Sequence, residues 1–145
     1  MNRPKIAIHT DIIVEYLIHH GKHAPALRIA MMKFFCYTTV FNAIELFARA
    51  STGPERNAVM AAMGAMKILG LNAKQAVRYG SWFSENPGIK PIPMLIAGIC
   101  MESKLPLLTG DVAAFRGISG LRLIKASALS GEATAEKILS AGIAL

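Results

Sequence analysis

Cysteine is scarce in this sequence of 145 residues, which contains only Cys36 and Cys100. Two cysteines this far apart provide neither a disulfide framework nor a cysteine-rich zinc site. We therefore expect both side chains to be buried thiols in a reducing compartment. This scarcity indicates a cytoplasmic protein.

Long uncharged apolar runs are also absent. Although 53% of the residues are hydrophobic, charged residues such as Lys33, Glu45 and Glu102 interrupt the most apolar windows. No window reaches the ~20 apolar residues that a membrane-spanning helix needs. The first residues lead quickly to His9 and Asp11, a pattern unlike a secretory signal peptide. The composition predicts one globular domain with a sizeable core and no membrane partner.

Acidic residues are few, with nine Asp and Glu against sixteen Lys and Arg and a formal net charge of +7. The basic residues are spread along the chain and form no run. This charge permits contact with an acidic partner such as RNA. Charge alone does not identify that partner, because many intracellular proteins are basic without binding nucleic acid.

Short apolar runs that alternate with helical segments predict an α/β fold. The predicted strands cover residues 6–8, 34–38, 68–69, 105–109 and 121–124. The predicted helices cover 12–18, a segment from Pro25, a segment capped by Thr39 or Asn42, a segment from Gly53, and then 72–84 and 94–101. This order predicts a central, mostly parallel sheet of four to five strands with helices on both faces.

The chain contains only two Asp residues, and each directly follows a predicted strand. In parallel sheets, ligands bind beyond the carboxyl ends of the strands. We therefore expect a functional site where the first and fourth strands end. The residues at these two places are His9, Thr10, Asp11, Thr109, Gly110 and Asp111.

Several stretches, in this order, resemble the motifs of the PIN-domain family and of its VapC-type toxin ribonucleases. They are Ile8-His9-Thr10-Asp11, the segment 39–46 with Glu45, Pro93-Met94-Leu95-Ile96-Ala97, Thr109-Gly110-Asp111, and the closing strand Gly120-Leu121-Arg122-Leu123-Ile124. The resemblance implies a PIN-like fold over residues 1–125. Residues 126–145 then form a C-terminal extension, for which the pattern predicts one amphipathic helix over 132–143.

The same resemblance implies a chemistry. Members of the family hold Mg²⁺ or Mn²⁺ with clustered carboxylates and cleave RNA with metal-activated water. By resemblance, Glu45 and Asp111 match catalytic and metal-binding acids of the family, and Asp11 is the candidate substitute for a missing acid. The supporting residues are Thr10, Thr109 and His9. RNA is then the substrate, an antitoxin protein is a partner, and the chain forms a homodimer.

Two positions depart from the family pattern. The family's first Asp corresponds to His9, with Asp11 two positions later, and its third acid corresponds to Pro93. An imidazole suits Mn²⁺, Zn²⁺ or Ni²⁺ better than Mg²⁺, and proline cannot bind a metal through its side chain. Three hypotheses follow: a metal-dependent endoribonuclease with a three-carboxylate site, a catalytically degenerate PIN domain that binds RNA or a protein, and a regulatory or structural dimer.

Each candidate carboxylate also has a structural interpretation. Asp11 either points into the cleft or caps the first helix. Glu45 belongs either to the site or to a helical pair with Arg49 four residues later. Asp111 belongs either to the site or to the cap of a short helix that ends near Phe115.

Overall fold

A six-stranded sheet with helices on both faces forms within residues 3–145, the part of the chain that this computed structural model describes. The strands are β1 Lys5–Ile8, β2 Phe35–Thr39, β3 Lys67–Leu69, β4 Leu107–Thr109, β5 Arg122–Lys125 and β6 Ile143–Ala144. The helices are α1 Thr10–Ile18, α2 Ala26–Lys33, α3 Val40–Arg49, α4 Gly53–Gly64, α5 Ala76–Glu85, α6 Pro91–Glu102 and α7 Ala135–Ser140. Three 3₁₀ helices cover Ala73–Gln75, Val112–Phe115 and Ala126–Ala128.

The strand order across the sheet is β3-β2-β1-β4-β5-β6. Strands β1 to β5 are parallel, and β6 is antiparallel to β5. From β1 the chain builds outward to β2 and β3, and then returns to place β4 on the other side of β1. This reversal leaves a crevice at the carboxyl ends of β1 and β4, the position where open α/β sheets bind ligands.

Successive side chains of the strands point to opposite faces of the sheet and form two separate hydrophobic cores. Ile6 and Ile8 of β1 point to one face, where they join a buried cluster that includes residues of α1, α2, α3 and α4. Ala7 points to the other face and joins Leu107 and Leu123 against α6. Because successive side chains of a strand face opposite ways, the continuous apolar runs reflect burial on both faces. The predicted α/β sheet with helices on both faces is confirmed.

The helix that carries Glu45 begins where the sequence placed a cap. The Thr39 hydroxyl accepts the backbone N–H of Asn42, and the Asn42 side chain accepts the backbone N–H of Thr39. Both residues named as possible caps therefore act together in one reciprocal capping box. This box fixes the start of α3 at the carboxyl end of β2.

The C-terminal segment differs from the predicted helix over 132–143. Its helix α7 is only six residues long, and Ile143 lies in β6, where it pairs with Leu123. A turn at Gly142 separates α7 from β6, and a side chain there would meet the Arg122 side chain at 2.9 Å. The short strand covers the β5 edge, which would otherwise expose unpaired backbone groups. The sheet therefore has six strands rather than four to five, while the division at residue 125 stays a prediction.

Both cysteines are free and buried, as expected. Burial raises the pKa of each thiol, Cys36 and Cys100, to about 12. Within residues 3–145, no helix is long and apolar enough to cross a membrane.

Close packing of α5 on α6 depends on Gly98. A Cβ at this position would lie 2.6 Å from Trp82 Cζ3 and 2.6 Å from Tyr79 Cε2. We expect Gly98→Ala to lower the free energy of unfolding by about 1–3 kcal/mol, because the two helices must separate. The matched control is Gly80→Ala on α5, where no atom lies within 4 Å of the added carbon. The control should be neutral or stabilising by about 0.5–1 kcal/mol. Equal urea midpoints for the two variants would contradict this packing.

Candidate functional site

A cleft of about 840 Å³ lies at the carboxyl ends of β1 and β4. All three predicted carboxylates line it, together with two of the three predicted supporting residues. The functional side chains of the lining are His9, Thr10, Asp11, Glu45, Arg49, Lys90, Asp111 and Arg116. Thr109 lies beneath the cleft and is fully buried. The structure thus brings together the residues that the sequence places after the first and fourth strands.

Asp11 connects the ends of the two central strands. Its Oδ2 accepts the backbone N–H of Gly110 at 2.7 Å, and its Oδ1 accepts the backbone N–H of Ile12 at 2.9 Å. The Thr109 hydroxyl lies 3.2 Å and 3.3 Å from the two oxygens. Helix α1 begins at Thr10, with His9 as its N-cap. The interpretation of Asp11 as the N-cap is therefore wrong, because its carboxylate belongs to the first turn and binds the β4 loop.

Glu45 is held by Thr10 rather than by Arg49. The Thr10 hydroxyl donates to Glu45 Oε1 at 2.6 Å. Among the described residues, the only ion pair joins Arg78 to Glu102, so the predicted pair of Glu45 and Arg49 does not form. Thr10 is buried, and its hydroxyl orients the carboxylate at the cleft wall.

Asn42 is a site residue that the sequence identified only as a helix cap. Its Nδ2 donates to Thr10 Oγ1 at 2.9 Å and lies 3.2 Å from His9 Nδ1. Its Oδ1 accepts the backbone N–H of Thr39 at 3.2 Å, and this contact fixes which way the amide faces. The capping pattern of Thr39 and Asn42 was the available signal, but the contacts with His9 and Thr10 depend on the tertiary fold.

The amide of Asn42 also sets the tautomer of His9. Because an N–H of Asn42 faces Nδ1, that nitrogen acts as the acceptor and the neutral ring carries its proton on Nε2. Burial lowers the pKa of His9, against the opposing effect of the charges on Asp11, Glu45 and Asp111. The neutral ring therefore has no lone pair free for a metal, in contrast to the usual metal-binding histidine, which donates its second N–H to a neighbour.

Asp111 caps a short helix, which was one of the two interpretations of this residue. Its Oδ1 accepts the backbone N–H of Ala114 at 3.2 Å at the start of the 3₁₀ helix Val112–Phe115. The side chain is exposed at the rim of the cleft. The Thr109 hydroxyl accepts the backbone N–H of Asp111 at 3.0 Å. Thr109 thus closes this turn and also contacts Asp11.

The residues present do not fit a divalent cation held by three side chains. Within residues 3–145, no group of three or more His, Cys, Asp or Glu side chains is arranged to hold a metal ion. Both oxygens of Asp11 already accept hydrogen bonds, and Pro93 lines the cleft on α6 without offering a ligand. The geometry gives no support to a shared metal, and the assignment of Asp11, Glu45 and Asp111 as metal ligands stays a prediction.

Three cations complete the cleft wall. Arg49, Lys90 and Arg116 all line it, and all three are exposed. Among the contacts of the described residues, none of these side chains takes part in a hydrogen bond or an ion pair. They are therefore free to bind an anionic group.

Comparison with known proteins identifies the fold. No protein-family model and no curated protein matches this chain. One similar chain comes from the crystal structure of VapBC2 from Rickettsia felis bound to a DNA fragment from their promoter. The two chains share 18% identity and a TM-score of 0.69, over 83% of this chain and 98% of the other.

Two further structures give the same result. A chain of DNA-bound VapBC from Salmonella typhimurium shares 19% identity and a TM-score of 0.68, over 85% of this chain and 98% of that one. A chain of VapBC-1 from nontypeable Haemophilus influenzae shares 17% identity and a TM-score of 0.69, with the same coverage of 85% and 98%. At these identities the likeness establishes the fold, and the predicted PIN-like fold is confirmed.

The contacts of Asp11 predict a structural role that can be measured. Asp11→Ala should lower the free energy of unfolding by about 2–3 kcal/mol, because the Gly110 N–H and the Thr109 hydroxyl lose a charged acceptor. Asp111→Ala, the matched control, loses one exposed cap and should cost about 1 kcal/mol. Urea unfolding measures both. Carboxylates that are brought together to bind a metal repel one another when the metal is absent. An increase in the free energy of unfolding on Asp11→Ala would therefore contradict the structural role.

Proposed function

We propose that this chain is a PIN-domain protein of the VapC toxin type and that its cleft binds RNA. Two observations support the proposal. The fold is shared with chains of several VapBC structures, and the cleft lies at the switch point of the sheet, where α/β folds bind ligands. The sequence motifs of the PIN family fall at the edges of this same cleft.

The observation that supports RNA binding is that the carboxylates of the cleft have protein partners, whereas, within residues 3–145, its cations do not. The carboxylates of Asp11 and Glu45 already accept hydrogen bonds from the protein. In contrast, the cations Arg49, Lys90 and Arg116 have no partner among the described residues. Cations that have no protein partner favour an anionic chain, and Arg and Lys contacts with phosphates supply most of the affinity of such binding.

Hydrolysis of RNA is a second candidate activity. One observation favours it: Asp11, Glu45 and Asp111 line a single cleft, and the last two match the family's motif. Mg²⁺ or Mn²⁺ would be the expected cofactor. Because the donor geometry does not fit a cation held by three side chains, we place cleavage behind binding. If the cleft binds RNA without cleaving it, the chain acts as a catalytically degenerate PIN domain.

Protein partners are part of the same proposal. The similar structures are described as VapBC assemblies, some of them bound to DNA, and we propose an antitoxin protein and a second copy of this chain as partners. Apolar side chains on α1 and α3 are exposed, among them Ile18 at 65% and Ile44 at 57%. Such exposure is typical of protein interfaces. The mass of the purified chain in solution tests the homodimer, and a monomer at every concentration would contradict it.

RNA binding can be tested with a labelled oligonucleotide and fluorescence anisotropy. We expect Arg116→Gln and Lys90→Gln each to weaken binding at low salt. Each should also reduce the slope of log K against log salt by about 0.7, the value for one phosphate contact on a single strand. The matched control is Arg28→Gln, an exposed residue of α2 that lies outside the cleft.

Two results would contradict this function. One is the absence of binding by the parent protein at low salt. The other is an equal effect of Arg116→Gln and Arg28→Gln. Cleavage is scored in the same samples with added Mg²⁺ or Mn²⁺, and we expect the oligonucleotide to stay intact. Metal-dependent cleavage that is lost in Glu45→Gln would instead support the second candidate.

A further inference from the structure

A second feature of the molecule lies at the amino ends of the strands, opposite the candidate cleft at their carboxyl ends. The amino ends of β1, β2 and β3 carry a set of aromatic and basic side chains that the cleft does not use. They border a concavity of about 770 Å³ whose lining includes Arg3, Phe35, Tyr37 and Lys67. Among the described residues that line it, none is acidic.

Strand register places four of these side chains on one face of the sheet. Lys5 of β1 is opposite Phe35 of β2, and Tyr37 of β2 is opposite Lys67 of β3. Residues paired in this way point to the same side, and alternate residues of a strand do so too. Lys5, Phe35, Tyr37 and Lys67 therefore share one face, which we call the β2–β3 platform.

The platform is left open by the helices. On this face, α6 packs over Ala7 of β1, Leu107 of β4 and Leu123 of β5. Toward the β3 edge of the sheet, Phe35 is 60% exposed, and Lys5 and Lys67 are also exposed. Tyr37 is half-buried beside them. A largely exposed phenylalanine between two lysines contributes little to the core.

The chemistry of these groups fits a single-stranded nucleic acid. The Lys5 ammonium lies 6.0 Å from the centre of the Tyr37 ring, so a cation accompanies the aromatic face. Proteins bind single strands by stacking bases on aromatic rings while basic side chains contact the backbone. Here two rings alternate along β2, with a lysine on each neighbouring strand.

We propose that the β2–β3 platform binds single-stranded RNA, with bases stacked on Phe35 and Tyr37 and phosphates bound by Lys5 and Lys67. This is a second contact surface, separate from the cleft that contains Asp11 and Glu45. The choice of RNA over DNA rests on the proposed function. The placement of the bases and phosphates rests on the platform alone.

The test uses the full chain and a labelled poly-U RNA of about 12 nucleotides. Phe35→Leu removes the ring but keeps an apolar side chain, and it should weaken binding about tenfold. Its matched control is Phe47→Leu on α3, a partly exposed phenylalanine outside both surfaces, which should leave binding unchanged. Lys67→Gln should reduce the salt slope by about 0.7, while Lys22→Gln should not.

Photo-crosslinking with the same RNA containing 5-iodouridine gives an independent result. We expect the crosslinked peptide to contain Phe35 or Tyr37, in the parent protein and in the cleft variant Arg116→Gln. The effects of the variants on RNA affinity distinguish binding at the platform from binding in the cleft. If Arg116→Gln weakens binding while Phe35→Leu does not, the cleft binds RNA and the platform proposal is overturned. The reverse pattern supports the platform and overturns binding in the cleft.

Two further outcomes would overturn the platform. One is the absence of any RNA binding by the parent protein at low salt, which would also overturn the proposed function. The other is self-association. If Phe35→Leu converts a dimer into a monomer in light scattering and leaves RNA affinity unchanged, a second copy of the chain covers this face instead.

Discussion

The arrangement of the candidate site depends on the hydrogen bond from the Gly110 N–H to the Asp11 carboxylate. This contact joins the end of β1 to the end of β4 at the point where the strand order reverses. The Thr109 hydroxyl adds a second donor, and it lies at the turn that Asp111 begins. Because the crevice is the gap between these two strand ends, its shape follows from this link. A carboxylate occupied in this way is less available to a metal or a substrate.

A second network fixes the opposite wall. The capping box of Thr39 and Asn42 orients the Asn42 amide, which donates to the Thr10 hydroxyl and faces His9. Thr10 in turn donates to Glu45. Buried polar groups that are all satisfied make such a network rigid, and within residues 3–145 no buried side-chain nitrogen or oxygen lacks a partner. The start of one helix thereby controls both an imidazole tautomer and the direction of a carboxylate.

Much of the fold could be predicted from the sequence because its signals are local. Apolar runs such as 6–8 mark strands buried on both faces, and the spacing of Thr39 and Asn42 marks a helix start. The two-residue strand β6 has no such pattern, and only its pairing with β5 defines it. In the site, the positions of the acids and the helix cap formed by Asp111 could be predicted, but the partners of Asp11 and Glu45 could not. Asp11 binds a backbone group 99 residues away, so whether it faces a metal or the protein is decided by tertiary contacts.

We infer that Asp11 and Glu45 serve the architecture of the cleft instead of forming a metal site. Calorimetric titration of the purified chain with Mn²⁺ at neutral pH tests this claim most directly, with Glu45→Gln and Asp111→Asn as reference variants. We expect no saturable binding tighter than roughly millimolar and the same heats for all three proteins. Tight, saturable binding by the parent that either substitution abolishes would contradict this structural role and support the three-carboxylate site.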